Sequence, residues 1–154
     1  MKRIALFALF FVLNFGGLAI GNWLMNNGPS SPWYIALNKA PWTPPGWVFG
    51  AAWTIIMICF SIYLANLFQK KDSIKLRQTY FLALLINISW NYVFFNQHLI
   101  GWALINIILL TILIFYFFFR YNDKTLKRSR LLLLPYMIWL CLATSLNAYI
   151  LIYN

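Results

Sequence analysis

Five stretches of this chain, at about residues 4–25, 46–68, 78–97, 101–119 and 131–153, contain no charged side chain. Each is close to the ~20 residues that a helix needs to cross the ~30 Å hydrocarbon core of a bilayer. Inside lipid the backbone satisfies its own polar groups either as helices or as a closed barrel. A barrel strand alternates lipid-facing and lumen-facing residues, and these Ile-, Leu- and Phe-rich runs show no such alternation. The sequence therefore predicts an all-α integral membrane bundle of five transmembrane helices, forming one domain over residues 1–154. The composition agrees, with 63% hydrophobic, 20% aromatic and only 9% charged residues, far from the averages of a soluble domain.

A net charge of +10 would suit a nucleic-acid binder, but the placement of the charges points elsewhere. Lys2 and Arg3 precede the first run, Lys70, Lys71, Lys75 and Arg77 lie between the second and third, and Arg120, Lys124, Lys127, Arg128 and Arg130 lie between the fourth and fifth. Eleven of the twelve cations thus share one side, the positive-inside pattern. The expectation is a multi-pass protein of a bacterial cell membrane, amino terminus cytoplasmic and carboxyl terminus external, with no nucleic-acid partner. Lys39 alone sits in the long first loop on the other face, residues 26–45. The opening MKRIALFALF also has the form of a signal peptide, yet the apolar run continues to Met25, longer than such a segment needs. Cys59 and Cys141 lie mid-span in different helices and read as small apolar fillers rather than a disulfide or metal pair.

No Asp, Glu, Lys, Arg or His falls well inside a span. Asp72 and Asp123 both belong to the basic loops, so an ion-coupled pump, which needs an intramembrane relay, is disfavoured. Hydrolytic machinery is absent too. His98 is the single histidine, placed in the turn NQHLIG, where it reads as a solvated turn residue with a ligand-facing role as the alternative. The polar groups that do enter the membrane are asparagines. At ~1.5 Å per residue, Asn91, Asn106 and Asn147 lie roughly 6–9 Å below the loop-side surface, with Trp53 and Trp90 near 10 Å. Asn14 and Asn87 fall together at about 15 Å. Interhelical hydrogen bonding is the ordinary role for each, but a shared level on the Lys39 side raises a pocket for the set.

In the last span Trp139, Ala143, Leu146, Asn147 and Ile150 recur at helical spacing and mark one face. That face offers an indole, a small gap and an amide, which suits either packing or a flat aromatic ligand. Trp23, Trp33, Trp47 and Trp102 lie near the loop-side ends and fit interfacial anchors. Before the second span stands KAPWTPPGW, residues 39–47, in which three prolines push Ala40, Thr43 and Pro44 away from helical geometry. A stiff approach follows, with Thr43 as the expected cap of the helix.

The stretches WYIALNKAPWTPPGWVFGAAW (33–53), WNYVFF (90–95), GWAL (101–104) and PYMIWLCLATSLN (135–147) together resemble the TspO/MBR family, the tryptophan-rich sensory or translocator proteins, once called peripheral benzodiazepine receptors. The likeness covers nearly the whole chain. It implies a five-helix membrane protein, commonly a homodimer, with a pocket that opens toward the first loop and takes porphyrins or other planar hydrophobic ligands. By motif, the pocket would be lined by Trp53, Trp90, Asn91, Trp139, Ala143, Leu146 and Asn147, under a lid of Tyr34, Trp42, Pro44 and Pro45. Porphyrin enters as a ligand, and neither cofactor nor metal is required. The small-xxx-small pairs Gly17/Gly21 and Gly46/Gly50 would serve a dimer or packing within one chain.

Three features depart from the family pattern. Lys39-Ala40-Pro41-Trp42 shifts a proline that relatives carry one position earlier, Asn106 stands where they often have Asp, and no basic residue follows Tyr149 or Tyr153 to complete a sterol motif. The resemblance implies a sensory, regulatory or translocating binder of tetrapyrroles. Its alternatives are a light-dependent porphyrin-degrading enzyme, with Trp53 and Trp139 as the redox-active, catalytic indoles, and a facilitative transporter.

Overall fold

The computed structural model describes residues 2–122 and 124–154; Asp123, expected in the second basic loop, lies outside them. Helix α1 spans Arg3–Met25, a short α2 spans Pro32–Ala36, and α3 to α6 span Gly46–Lys71, Ile74–Asn91, Ile100–Arg120 and Leu134–Tyr153. No strand occurs among the described residues. Among the described residues, four segments are long and apolar enough to cross a membrane: α1 with the 3-10 turn that follows it, α3, α5, and α6 with the 3-10 turn Ser129–Leu133 that leads into it. The remaining long helix, α4, has 18 residues and falls short in apolarity, because Lys75, Arg77 and Gln78 occupy its start and Asn87, Ser89 and Asn91 its end. A π turn, Tyr92–Asn96, extends its helical path to within a residue of the end that the sequence suggests.

Local sequence explains the boundaries. Helix α1 ends where Asn26 and Asn27 both take left-handed backbone, a conformation asparagine tolerates better than other residues with a Cβ. Ser31 starts α2 by accepting a hydrogen bond from the Tyr34 N–H, with Pro32 at the first helical position, where its missing N–H costs nothing. Ser73 caps α4 in the same way through the Leu76 N–H. Between α3 and α4 the Arg77 guanidinium donates to both oxygens of the Asp72 carboxylate, which holds that carboxyl below the usual range. Thr43 does not cap α3 as its position suggests. Its hydroxyl and its N–H both donate to the Ala40 carbonyl, closing a turn, and α3 begins after Pro45 without a side-chain cap.

The helices form a ring. Helix α1 packs on α3 and α4, α4 on α5, α5 on α6, and α6 returns to α3, most closely through Ser129–Leu133. The basic residues gather at one end, and the residue 26–45 segment covers the other. Gly17 and Gly21 are spent within the chain rather than left for a partner copy. A Cβ on Gly17 would meet Leu84 at 2.8 Å, and one on Gly21 would meet the Asn91 amide at 2.6 Å, so α1 lies directly against α4. Gly46 and Gly50 have open space around them.

A buried polar clasp fixes three of the helices. Asn14 Nδ2 donates to Ser61 Oγ at 2.9 Å, the Tyr80 hydroxyl donates to Asn14 Oδ1 at 3.0 Å, and the Ser61 hydroxyl donates in turn to the Met57 carbonyl at 2.7 Å. Asn87, which the depth count sets beside Asn14, is not its partner; Tyr80 is, two turns further along α4. Toward the basic end the Tyr63 hydroxyl donates to the Phe117 carbonyl and Asn66 to Ser129. Replacement of Asn14 by Leu should lower stability by about 1–3 kcal/mol, since two buried hydroxyls lose a partner. Tyr80→Phe, which removes one bond, should cost less, about 0.6 kcal/mol. Reversible unfolding in mixed micelles measures both, and equal stability in all three proteins would show the clasp to be incidental.

Candidate functional site

The first turns of α3 and the first two turns of α6 face each other through aromatic rings. Phe49 meets Trp139 edge-on at 5.3 Å, and Trp53 meets Tyr136 edge-on at 5.8 Å. Phe49 and Trp53 are one helical turn apart on α3, and Tyr136 and Trp139 are three residues apart on α6, so each pair shares a face. Antiparallel packing then interleaves them as a four-ring ladder. Edge-to-face geometry suits the ring quadrupoles and adds about 0.5–1.5 kcal/mol per pair beyond burial. Trp139 is buried, whereas Trp53 is only partly covered, so this seam is closed on the α6 side.

A second cluster sits where α4, α5 and α6 meet. The Trp90 indole N–H donates to Asn147 Oδ1 at 3.1 Å, and Asn147 Nδ2 donates to the Ile100 carbonyl at 3.1 Å. One buried amide thus satisfies an indole and a carbonyl in the first turn of α5. Trp90 stacks on Phe94, 4.9 Å between centroids and 10° from parallel. The π turn that carries Phe94 is closed by the Gln97 N–H on the Tyr92 carbonyl, and π turns recur at functional sites.

The loop over this end is fastened to α6 and to the π turn. The Asn38 N–H donates to Asn154 Oδ1 at 2.9 Å, Asn154 Nδ2 returns a bond to the Asn38 carbonyl at 3.2 Å, and Asn38 Nδ2 reaches the Tyr153 carbonyl at 3.1 Å. Four residues on, the Trp42 indole N–H donates to Ser145 Oγ at 3.2 Å while its ring meets Tyr149 edge-on. Tyr34 instead rests against Phe94 and Phe95, and burial pushes its phenol above the ordinary value, so it stays neutral. Lys39 folds back over the Tyr34 ring, 4.6 Å from its centroid, and donates to the Ile35 carbonyl. Gly28 lies so close to Phe95 that a Cβ there would come within 2.5 Å.

The residues expected to form one pocket therefore fall into neighbouring groups. Trp53 and Trp139 belong to the ladder. Trp90 and Asn147 form the amide–indole cluster, with Ala143 and Leu146 on the same face of α6. Asn91 turns away from both, its amide against Gly21 of α1. Among the expected lid residues, Trp42 lies on α6, Tyr34 on the π turn, and Pro44 and Pro45 lead directly into α3. Asn106, level with Asn147 in the depth count, bonds Ser89 and leaves its Oδ1 buried without a partner. Phe49 and Tyr136 were missed by the sequence reasoning, although each stands one turn from a tryptophan already singled out. Ser145 and Asn154 were missed as well, and nothing in a single sequence marks them. His98 is exposed and has left-handed backbone, and it stacks on Trp33 at 4.0 Å. Trp33 is thus held in the loop, while Trp23, Trp47 and Trp102 are exposed as interfacial anchors would be.

A helical membrane bundle with an aromatic seam beneath a fastened loop is the class that the geometry defines. The TspO/MBR family model matches residues 7–153. A tryptophan-rich protein TspO from Chlorobaculum tepidum is 33% identical over 130 residues, 82% of this chain and 82% of that protein. One from Archaeoglobus fulgidus is 33% identical over 126 residues, 79% and 80% of the two chains. The human translocator protein is 30% identical over 127 residues, 79% of this chain and 74% of its own. The chain belongs to the TspO/MBR family and is an integral membrane protein.

Replacement of Asn154 by Ala removes the acceptor of the Asn38 N–H. A net bond is worth ~0.5–1.5 kcal/mol, so amide exchange at Asn38 should become roughly two- to tenfold faster. Mass spectrometry of the exchanged protein reads this directly. Unchanged exchange would mean that Trp42 alone holds the loop.

Proposed function

We propose that this protein binds porphyrins or closely related planar tetrapyrroles between α3 and α6, in a sensory, regulatory or translocating role. The observation that carries the proposal is the four-ring ladder under a loop tied to α6. A macrocycle entering the seam would exchange edge-to-face ring pairs for stacking on the faces of Trp53 and Trp139. Its carboxylates would then reach the membrane surface near the Lys39 ammonium and the amino-terminal, positive end of α3. Membership in a family whose relatives bear the names sensory protein and translocator protein agrees with a binder.

The ring pairs Phe49–Trp139 and Trp53–Tyr136 are in contact in this structure, so a macrocycle stacking on either indole would displace them. Replacement of Trp53 or Trp139 by Phe keeps most of the packing volume but reduces the stacking face. Aromatic pairing beyond area is worth ~0.5–1.5 kcal/mol, so protoporphyrin IX affinity should fall roughly three- to tenfold per site. Trp23→Phe, on the exposed outer surface, should leave it unchanged. Absorbance and tryptophan quenching in the dark measure affinity, and wild-type affinity in both seam variants would place the two indoles in the packing core. The same samples under illumination test the degrading alternative, in which new products form in the wild type and fail to form in either variant.

The orientation proposed from the charges puts the basic end in the cytoplasm and Asn154 outside. A carboxyl-terminal reporter should then be active outside the cytoplasm, and activity inside would reverse the side from which ligand arrives. A homodimer is proposed as well. The Gly46/Gly50 pair is the one left open to it, and cross-linking in native membranes that yields monomer alone would refute this.

A further inference from the structure

Toward the basic end, side chains of α1 and α3 leave between them a groove of about 380 Å³ lined by Arg3, Ile4, Phe7, Ile62 and Ala65. Its depth comes from Ala65, a single methyl at a position where the neighbouring Ile62 carries a branched side chain. A groove of this size lies within the usual range of small-molecule sites, ~300–1,000 Å³. It lies on the outer surface of the bundle, where Ile4 is 81% exposed, so its natural surroundings are lipid. Ile62 is nine residues from the end of α3 at Lys71, a rise of roughly 13 Å, so the groove runs from the membrane surface into the hydrocarbon.

Arg3 stands at the mouth. Among the described residues it has no acidic partner, because the carboxylate of Asp72 is held by Arg77. An arginine stem packs along apolar surface while the guanidinium stays at the interface, and the planar guanidinium fits a phosphate with two parallel bonds. The site therefore asks for an anion at the surface joined to an apolar chain below it. A soluble anion would leave the groove unfilled, and a neutral lipid would leave Arg3 unmatched.

We propose that this groove is a binding site for one anionic phospholipid, with an acyl chain between α1 and α3 and the phosphate on Arg3. The other basic residues of this end add a diffuse attraction to the same leaflet, whereas Arg3 and the groove make a defined site. This proposal is independent of the binding proposed at the α3–α6 seam.

The test is native mass spectrometry of the full chain released from micelles with phosphatidylglycerol or with phosphatidylcholine of the same acyl chains. The wild type should retain phosphatidylglycerol preferentially. Arg3→Gln should weaken that retention roughly fivefold, the loss expected for one cation at an anionic surface. Lys127→Gln, which removes an equally exposed charge of the same end, should not. Ile62→Trp fills the groove with the charge intact and should reduce retention of both lipids. Ile4→Trp, at an exposed position of α1, provides the same block if Ile62→Trp does not elute as folded protein. Equal losses in Arg3→Gln and Lys127→Gln would reduce the effect to diffuse charge. Full retention in the filled-groove variants would remove the acyl chain from the groove, and either result overturns the proposal.

Discussion

An amide buried in a membrane protein has no water to fall back on, and the arrangement of this bundle follows from where its asparagines find partners. Asn14 joins α1 to Ser61 of α3 and Tyr80 of α4. Asn147 joins α6 to Trp90 of α4 and to the first turn of α5. These two residues touch all five long helices, and α4 appears in both sets. That sharing explains how the least apolar helix keeps its place. Helix α4 is held by directional bonds on both sides and by glycine-mediated contact with α1, where the others rely more on their apolar surface.

Much of this was legible from the sequence, for a physical reason. Periodicity reports which face of a helix is inward, so the α6 stripe Trp139, Leu146, Asn147 and Ile150 emerged as buried. Charge-free length reports span, and four of the five runs became helices apolar enough to cross a membrane. The azimuth of a helix's neighbours is not readable in this way. Asn14 and Asn87, set together by the depth count, do not meet, because the long Tyr80 side chain reaches Asn14 instead. Asn91 and Asn147, set at one level by the depth count, face different helices. The π turn at Tyr92–Asn96 was illegible too, since it depends on how Phe94 and Phe95 pack against Trp33, Tyr34 and Gly28 rather than on local propensity. Thr43 was misassigned as a cap because its neighbours look like a helix start, whereas two prolines between it and α3 carry the chain out of reach.

The mechanical consequence lies in how the first loop is attached. Pro44 and Pro45 couple its end rigidly to α3, while Asn38 and Trp42 are bonded to α6. The loop thus bridges the two helices that meet at the aromatic seam, with a stiff joint on one and a set of breakable hydrogen bonds on the other. Parting α3 from α6 by a few ångströms loads the bonds at Ser145 and Asn154 before it bends the proline segment. Loosening the loop at Asn38 leaves the ladder of Phe49, Trp53, Tyr136 and Trp139 in contact but without its cover. If a ligand were to part the two helices, the bonds to α6 and the ring pairs would both have to yield, and the proline joint to α3 would not. At the basic end α3 is tied by Tyr63, Asn66 and Lys70 to the α5–α6 region, so these bonds resist separation of the helices there, far from the loop bonds at Asn38 and Trp42.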